Sequence, residues 1–194
     1  LFCGSEGTLG VVTEITLKVI PLPKAYRTVL AVFNDLDDSA ATVSDIIGAG
    51  ILPAALELLD KVLINAVEDS NNIGLPREAE GLLLIEVDGS EEQVEKELEL
   101  IIEKTRKNNA VDIQEARTPE ERDNLWRARR SLYPSMARLK PNCIVEDATV
   151  PANKVPEMIR GIRSIVNKHN LLVGISAHAG DGNMHPLISC DIRD

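Results

Sequence analysis

The sequence predicts an α+β fold: a ferredoxin-like antiparallel sheet with helices on one face. Strand–helix–strand patterning recurs along the chain, and its helical segments are about 10–17 residues long. Its strands also lack the sustained Val/Ile saturation of a buried parallel sheet. A doubly wound parallel sheet is the alternative that the same alternation allows. With 194 residues, 44% hydrophobic and 27% charged, the chain can bury a real core, as one domain or as a domain plus part of another.

The first ten residues place glycines at 4, 7 and 10, which reads as a turn-rich loop. Alternation from Val11 to Ile20 predicts a strand, closed by Pro21-Leu22-Pro23. That proline pair is the expected domain boundary, dividing residues 1–21 from 22–194. Tyr26–Phe33 reads as a strand. Asp38–Gly48 reads as a helix with Ala41, Val43, Ile46 and Ile47 as its apolar positions. Ala54–Leu59 is a short apolar run that Asp60–Val67 continues as a helix, and Asn71–Gly81 is a polar loop. The second round is strand Leu82–Val87, helix Glu91–Lys107 behind Ser90 as N-cap, and strand Val111–Glu115. Pro119 to Leu139 is one longer helical segment that Pro134 should end or kink. Strand Cys143–Val150, helix Asn153–Lys168 and strand Leu171–Ala177 make the third round.

Composition excludes several classes of function. A balance of 21 Lys and Arg against 31 Asp and Glu gives a net charge of −10, which argues against a nucleic-acid backbone as partner. No apolar run approaches the ~20 residues of a membrane span. Three cysteines, Cys3, Cys143 and Cys190, without CxxC spacing, fit neither a disulfide scaffold nor a cysteine-rich zinc module, so a reducing, cytoplasmic setting is expected. The chain starts at Leu1 in a glycine-rich stretch, as a fragment of something longer would.

Four stretches could carry chemistry. In His178-Ala179-Gly180-Asp181-Gly182-Asn183-Met184-His185-Pro186, Gly-Asp-Gly-Asn is turn chemistry between two apolar strands. It predicts a hairpin with His178 and His185 facing one another, able to bind a divalent metal or a polar substrate atom. The plain alternative is a turn with two partly exposed histidines. From Arg127 to Lys140 there are five basic residues and no acidic one. A local positive field in an acidic chain suits a carboxylate ligand held bidentately by arginine, although a solvated helix face paired with the acidic helix Glu91–Glu103 reads equally well. Arg129 and Tyr133, four apart, would share a face just before Pro134. Gly4 to Gly10 offers backbone amides to a phosphate or a flavin edge, or is a plain turn. Finally, Glu146 and Asp147 are adjacent carboxylates inside an apolar strand, so one of them should point toward a core or pocket.

Taken in order, Gly-Ser-Glu-Gly-Thr-Leu-Gly-Val-Val-Thr-Glu, Leu-Trp-x-x-Arg-Arg, Val-Glu-Asp-x-Thr-Val-Pro and His-Ala-Gly-Asp-Gly-Asn-Met-His-Pro resemble the C-terminal half of the FAD-linked 2-hydroxy-acid oxidases. The resemblance spans essentially the whole chain. It implies a cap domain with a ferredoxin-like sheet, preceded by the last FAD-contacting loop and strand of a vanillyl-alcohol-oxidase type domain, here residues 1–21. By the same resemblance, Gly4, Ser5, Glu6, Gly7, Thr8, Gly10, Val12 and Asn183 are expected to contact FAD. Arg129 matches the anchor of the substrate carboxylate, and Tyr133 stands where some members place a threonine on the substrate. His178 and His185 match a catalytic pair that holds a divalent metal, zinc or manganese, on the 2-hydroxyl.

The family's third metal ligand, in a Glu-His-Gly motif, is expected downstream of Asp194. The fragment alone should therefore be inactive, free of FAD, and a weak metal binder at best. His-Pro-Leu, with Leu187, lies closer to the glycolate and D-lactate branch than to the 2-hydroxyglutarate branch. The implied partner is a small anionic 2-hydroxy acid; an iron–sulfur electron-transfer subunit and a homodimer are compatible with the resemblance. A non-catalytic anion- or metal-binding module and an alkyl-transferring relative of the same fold are the competing readings.

Overall fold

In the computed structural model, which describes residues 1–193, the strands form one antiparallel sheet. They are β1 (Ala25–Phe33), β2 (Ala55–Asp60), β3 (Gly81–Gly89), β4 (Asp112–Ala116), β5 (Asn142–Val145), β6 (Ala148–Thr149), β7 (Leu172–His178) and β8 (Asn183–Cys190). Their order is β4-β1-β3-β2-β7-β8-β5, with β6 also paired to β8. Between them run helices α1 (Leu36–Gly48), α2 (Lys61–Asn71), α3 (Glu91–Lys107), α4 (Pro119–Arg130), α5 (Leu132–Met136) and α6 (Val155–His169).

Helix starts follow local chemistry. The Asp35, Asp60, Ser90 and Thr118 side chains accept from the first amides of α1, α2, α3 and α4, satisfying donors that have no intrahelical partner. Thr118 and Glu121 complete a reciprocal capping box.

Helices cover both faces of the sheet, not one. Val29, Ala31 and Phe33 of β1 pack with Val43, Leu98 and Ile159 of α1, α3 and α6. The intervening Leu30 and Val32 pack with Ile64, Ala128 and Met136 of α2, α4 and α5. The cause lies in the strands: from Val29 to Phe33 and from Leu82 to Ile85 consecutive residues are apolar, so both faces must be buried.

Three boundaries also differ from the expectation. Val11 to Ile20 forms no strand; Val11 is 84% and Val19 87% exposed. Alternation gives an extended segment a sidedness, but a strand needs a ladder partner, and none of the described strands pairs with it. The long helical segment breaks at Ser131, three residues before Pro134, because a proline cannot bond the carbonyl four residues earlier, here that of Arg130. The Cys143–Val150 strand divides at Glu146 and Asp147, which lie level with Pro186 and His185. Pro186 has no N–H to offer across the ladder, although its carbonyl still accepts from the Glu146 amide at 3.1 Å.

Candidate active site

A row of polar side chains crosses the sheet face that α4 covers. In the ladder Thr28 opposes Glu86, Ala55 opposes Glu86, Glu57 opposes His178, and Ser176 opposes His185. Residues two apart on a strand share a face, so Glu86, Glu57, His178 and His185 all point to the same side. Helix α4 presents Arg122, Trp126 and Arg129 to this row at the 4 and 3 spacing of one helical face.

Each contact is short. Arg129 Nε donates to Glu57 Oε2 at 2.7 Å, and His178 Nδ1 lies 2.7 Å from Glu57 Oε1. His185 Nδ1 lies 3.0 Å from Asp147 Oδ1. The two imidazoles meet edge to face, centroids 5.1 Å apart at 88°. A carboxylate accepts and does not donate, so His178 Nδ1 holds the proton of its bond to Glu57, and in the neutral ring the lone pair is then on Nε2; His185 meets Asp147 only as a close ion-pair approach.

The tight turn joining the histidine strands depends on Gly182. Its φ is +71°, and a Cβ there would stand 1.8 Å from the Val150 carbonyl oxygen, so only glycine fits. The same approach brings Val150 N to Gly182 O at 3.0 Å, tying the Asp147 segment to the hairpin.

The structure thus brings Arg129, His178 and His185 together. Asn183 opposes His178 in the ladder, and Thr149 Oγ1 reaches its Oδ1 at 3.4 Å. Tyr133 is not part of the cluster: it lies beyond the helix break and is 53% exposed. The Gly4–Gly10 loop bonds within itself, with Thr8 donating to Ser5 O through both backbone and hydroxyl and Ser5 N donating to Phe2 O. Gly4, Glu6 and Gly7 have positive φ there, and Ser5, Gly10 and Val12 carry no bond to the row. Neither Glu146 nor Asp147 enters the core, both being exposed on the interrupted outer strand, but Asp147 points to the histidine pair, its Oδ1 3.0 Å from His185 Nδ1.

Two buried carboxylates of the row, of which Glu57 is the functional candidate, are not evident from the sequence. Glu57 and Glu86 are 6% and 8% exposed. Their signal is a glutamate flanked on both sides by apolar residues, Leu56 and Leu58 around Glu57 and Ile85 and Val87 around Glu86. Burial alone would raise the Glu86 carboxyl, but hydrogen bonds from Arg122, Thr28 and Trp126 outweigh it and hold Glu86 below the usual carboxylate range. A cavity of about 510 Å³ abuts the Arg122 end of the row, lined also by Thr28, Tyr26 and Arg117, and one of about 490 Å³ lies elsewhere, beside Asp60 and Arg163. Among the described residues no group of three His, Cys, Asp or Glu is arranged to hold a metal.

Residues 22–194 match the family model described as FAD linked oxidases, C-terminal domain. The chain belongs to this family. It is 47% identical over 194 residues to the glycolate oxidase subunit GlcD of Bacillus subtilis, covering all of this chain and 41% of that protein. The GlcD subunit of Escherichia coli K12 is 39% identical, again over the whole chain and 39% of its own length. A probable mitochondrial D-lactate dehydrogenase of Danio rerio is 33% identical, over the whole chain and 39% of that protein. The chain therefore spans about two fifths of these relatives. Among solved structures, alkyldihydroxyacetonephosphate synthase superposes with a TM-score of 0.70 at 17% identity, over 95% of this chain and 40% of the other. p-Cresol methylhydroxylase gives 0.61 at 11%, over 90% and 41%. These two likenesses establish the family fold alone. No described helix is long and apolar enough to cross a membrane.

Proposed function

We propose that this FAD-oxidase C-terminal domain is the substrate-capping part of an FAD-linked enzyme that oxidises a small 2-hydroxy acid, of the glycolate or D-lactate class, to the 2-oxo acid. The observation that carries the reading is one guanidinium and two imidazoles gathered on one sheet face, each with a donor or lone pair still uncommitted. Arg129 spends its Nε on Glu57, which leaves its two terminal nitrogens to grip a carboxylate as a fork. The Nε2 atoms of His178 and His185 are ligand atoms for a divalent ion such as zinc or manganese. A carboxylate behind each imidazole is the supporting arrangement such ligands require, so the donor chemistry fits. It supplies two donors where catalytic zinc sites use about three protein ligands, so metal binding by this chain alone is weak.

For FAD, the fit rests on the exposed turns at Gly4 and Gly7, above which nothing lies within 4 Å, and on Asn183 at the mouth of the histidine hairpin. When bound, FAD would supply the hydride acceptor and the metal the Lewis acidity that eases loss of the hydroxyl proton. This chain's residues hold the carboxylate, orient the hydroxyl beside the imidazoles and cover the reacting carbon. Residues 1–21, whose apolar side chains at Val11, Ile15, Leu17 and Val19 are exposed, read as the edge of a neighbouring FAD-binding domain, with 22–194 as the cap. Order β4-β1-β3-β2, with α1 and α3 as crossovers on one face, supports a ferredoxin-like unit carrying α2 as an insertion. An iron–sulfur partner subunit and a cytoplasmic setting belong to the same proposal, the latter supported by three free cysteines.

The test is dye reduction by the full-length flavoprotein against a panel of 2-hydroxy acids. Turnover of glycolate or D-lactate, lost in Arg129→Met, is the expected result. Bound flavin with no turnover of any 2-hydroxy acid would return the chain to a non-catalytic binding module.

A further inference from the structure

Glu57 is the least exposed titratable member of the row, and it touches both halves of the proposed site. Its two oxygens are divided: Oε2 takes the Arg129 Nε proton at 2.7 Å, and Oε1 meets His178 Nδ1 at 2.7 Å. With both oxygens committed and only 6% of the residue exposed, Glu57 is not free to accept a substrate proton. What it controls is orientation. Engaging Nε turns the terminal nitrogens of Arg129 outward, and engaging Nδ1 fixes the His178 tautomer with its Nε2 lone pair outward. The strand gives this carboxylate a rigid base, since Glu57 pairs directly with His178 across β2 and β7 and with Leu84 across β2 and β3.

We propose that Glu57 is a shared positioning residue, setting the separation between the carboxylate anchor Arg129 and the hydroxyl-side histidine His178. The inference rests on the function proposed above and deepens it. A single planar group thus holds both the anchor and the imidazole. Removal of Glu57 therefore disturbs two things at once, substrate affinity and metal affinity, which neither Arg129 nor His178 does alone.

Glu57→Gln in the full-length flavoprotein tests this. The amide keeps length and volume, but it has one acceptor oxygen for two donors, and its NH₂ facing Nδ1 favours the tautomer whose Nε2 is protonated. Zn(II) or Mn(II) titrated into the metal-stripped variant should bind 10- to 100-fold more weakly, the scale typical for loss of a ligand's supporting carboxylate. KM for D-lactate or glycolate should rise. Flavin content, read from visible absorbance, should stay at the wild-type level. In Arg129→Lys KM should rise with metal affinity unchanged, which separates a shared role from a private one. Should Glu57→Gln fail to fold, Glu57→Asp, which keeps the charge and shortens the reach, is read on the same three measurements. A folded Glu57 variant with wild-type metal affinity and KM, in an enzyme that does turn over 2-hydroxy acids, overturns the proposal and leaves the function standing. An inactive wild-type holoenzyme overturns both.

Discussion

Glu57 and Glu86 are the same construction used for two ends. Both are carboxylates in apolar strands, both less than a tenth exposed, and both are gripped at 2.7 Å by an arginine of α4. Those arginines, 122 and 129, stand two helical turns apart. At Glu86 every interaction closes inward. Arg122 Nε and Nη2 take one oxygen each at 2.7 Å, Trp126 Nε1 donates at 2.9 Å and Thr28 Oγ1 at 2.6 Å. Arg122 also stacks on Tyr26, 4.6 Å from the ring centre. At Glu57 the partners keep an unused edge: the Arg129 fork and His178 Nε2. A buried Glu–Arg pair is thus no sign of function in itself. What distinguishes the functional pair is that its members still have bonds to make.

The largest expected effect breaks the comparison at the structural end. Arg122→Met strands Glu86 as a buried charge with only neutral donors, which should cost about 3 kcal/mol and lower Tm by roughly 6–12 °C. Arg129→Met should lower it less, because its partner keeps His178. The penalty should also depend on pH. Glu86 is held below the ordinary glutamate range, so its contribution is present above that range and fades as pH falls through the lower folded pKa. Thermal melts of the two variants at pH 7 and pH 4 check both statements, and equal losses at pH 7 would erase the distinction.

Next in size is Arg129→Lys in the full-length enzyme. Lysine keeps the charge but cannot both hold Glu57 and present a fork. KM for the 2-hydroxy acid should rise by an amount corresponding to about 1–3 kcal/mol, with Tm little changed. Unaltered steady-state kinetics would move the carboxylate anchor to Arg130 or Arg138.

The contrast also explains what could be read from the sequence. Helix α3 was legible from Glu91 to Lys107 because its cap, period and end are local. The His178–His185 hairpin was legible because Gly-Asp-Gly-Asn determines a turn whatever surrounds it. Arg129 stood out as part of a basic run, but its partner lies 72 residues away and His178 reaches the same carboxylate across 121. A lone glutamate in Ala55–Asp60 does not announce such distant donors. Val11 to Ile20 alternates like a strand, yet strand formation depends on a partner that alternation does not specify. Helices on the second face were missed for a related reason. Consecutive apolar residues in β1 and β3 were read for strand identity, not for how many faces needed cover.

A third buried carboxylate sharpens the comparison by having no ion-pair partner among the described residues, Arg163 acting on it only at longer range. Asp60 caps α2 by accepting from Leu63 N at 3.0 Å, and burial pushes its carboxyl from 3.8 up to about 7. An acid whose folded pKa is raised binds protons more readily in the folded state, so stability falls as pH rises from about 4 to about 7. Asp60→Asn keeps a good cap and removes the charge. It should stabilise the protein by on the order of 1 kcal/mol at pH 8 and have little effect at pH 4. Melts across that range check the sign, and a variant equally destabilised at both ends would show that the cap charge is stabilising.

The smallest effect belongs to the fourth carboxylate, Asp147, which stands behind His185 as Glu57 stands behind His178. Its side chain is 70% exposed against 7% for Glu57, so water and salt screen the contact and it should be worth less than about 1 kcal/mol. Water can also hydrogen-bond the ring nitrogen when the carboxylate is removed, so the His185 imidazole is then only weakly perturbed. Asp147→Ala in the full-length protein should therefore weaken Zn(II) binding by a few-fold, against the 10- to 100-fold expected for Glu57→Gln. Its residual effect should shrink further at high salt. If the two substitutions weakened metal binding equally, burial of the supporting carboxylate would not be what matters. The two histidines would then be held alike from opposite sides, with Glu57 distinguished only by its bond to Arg129.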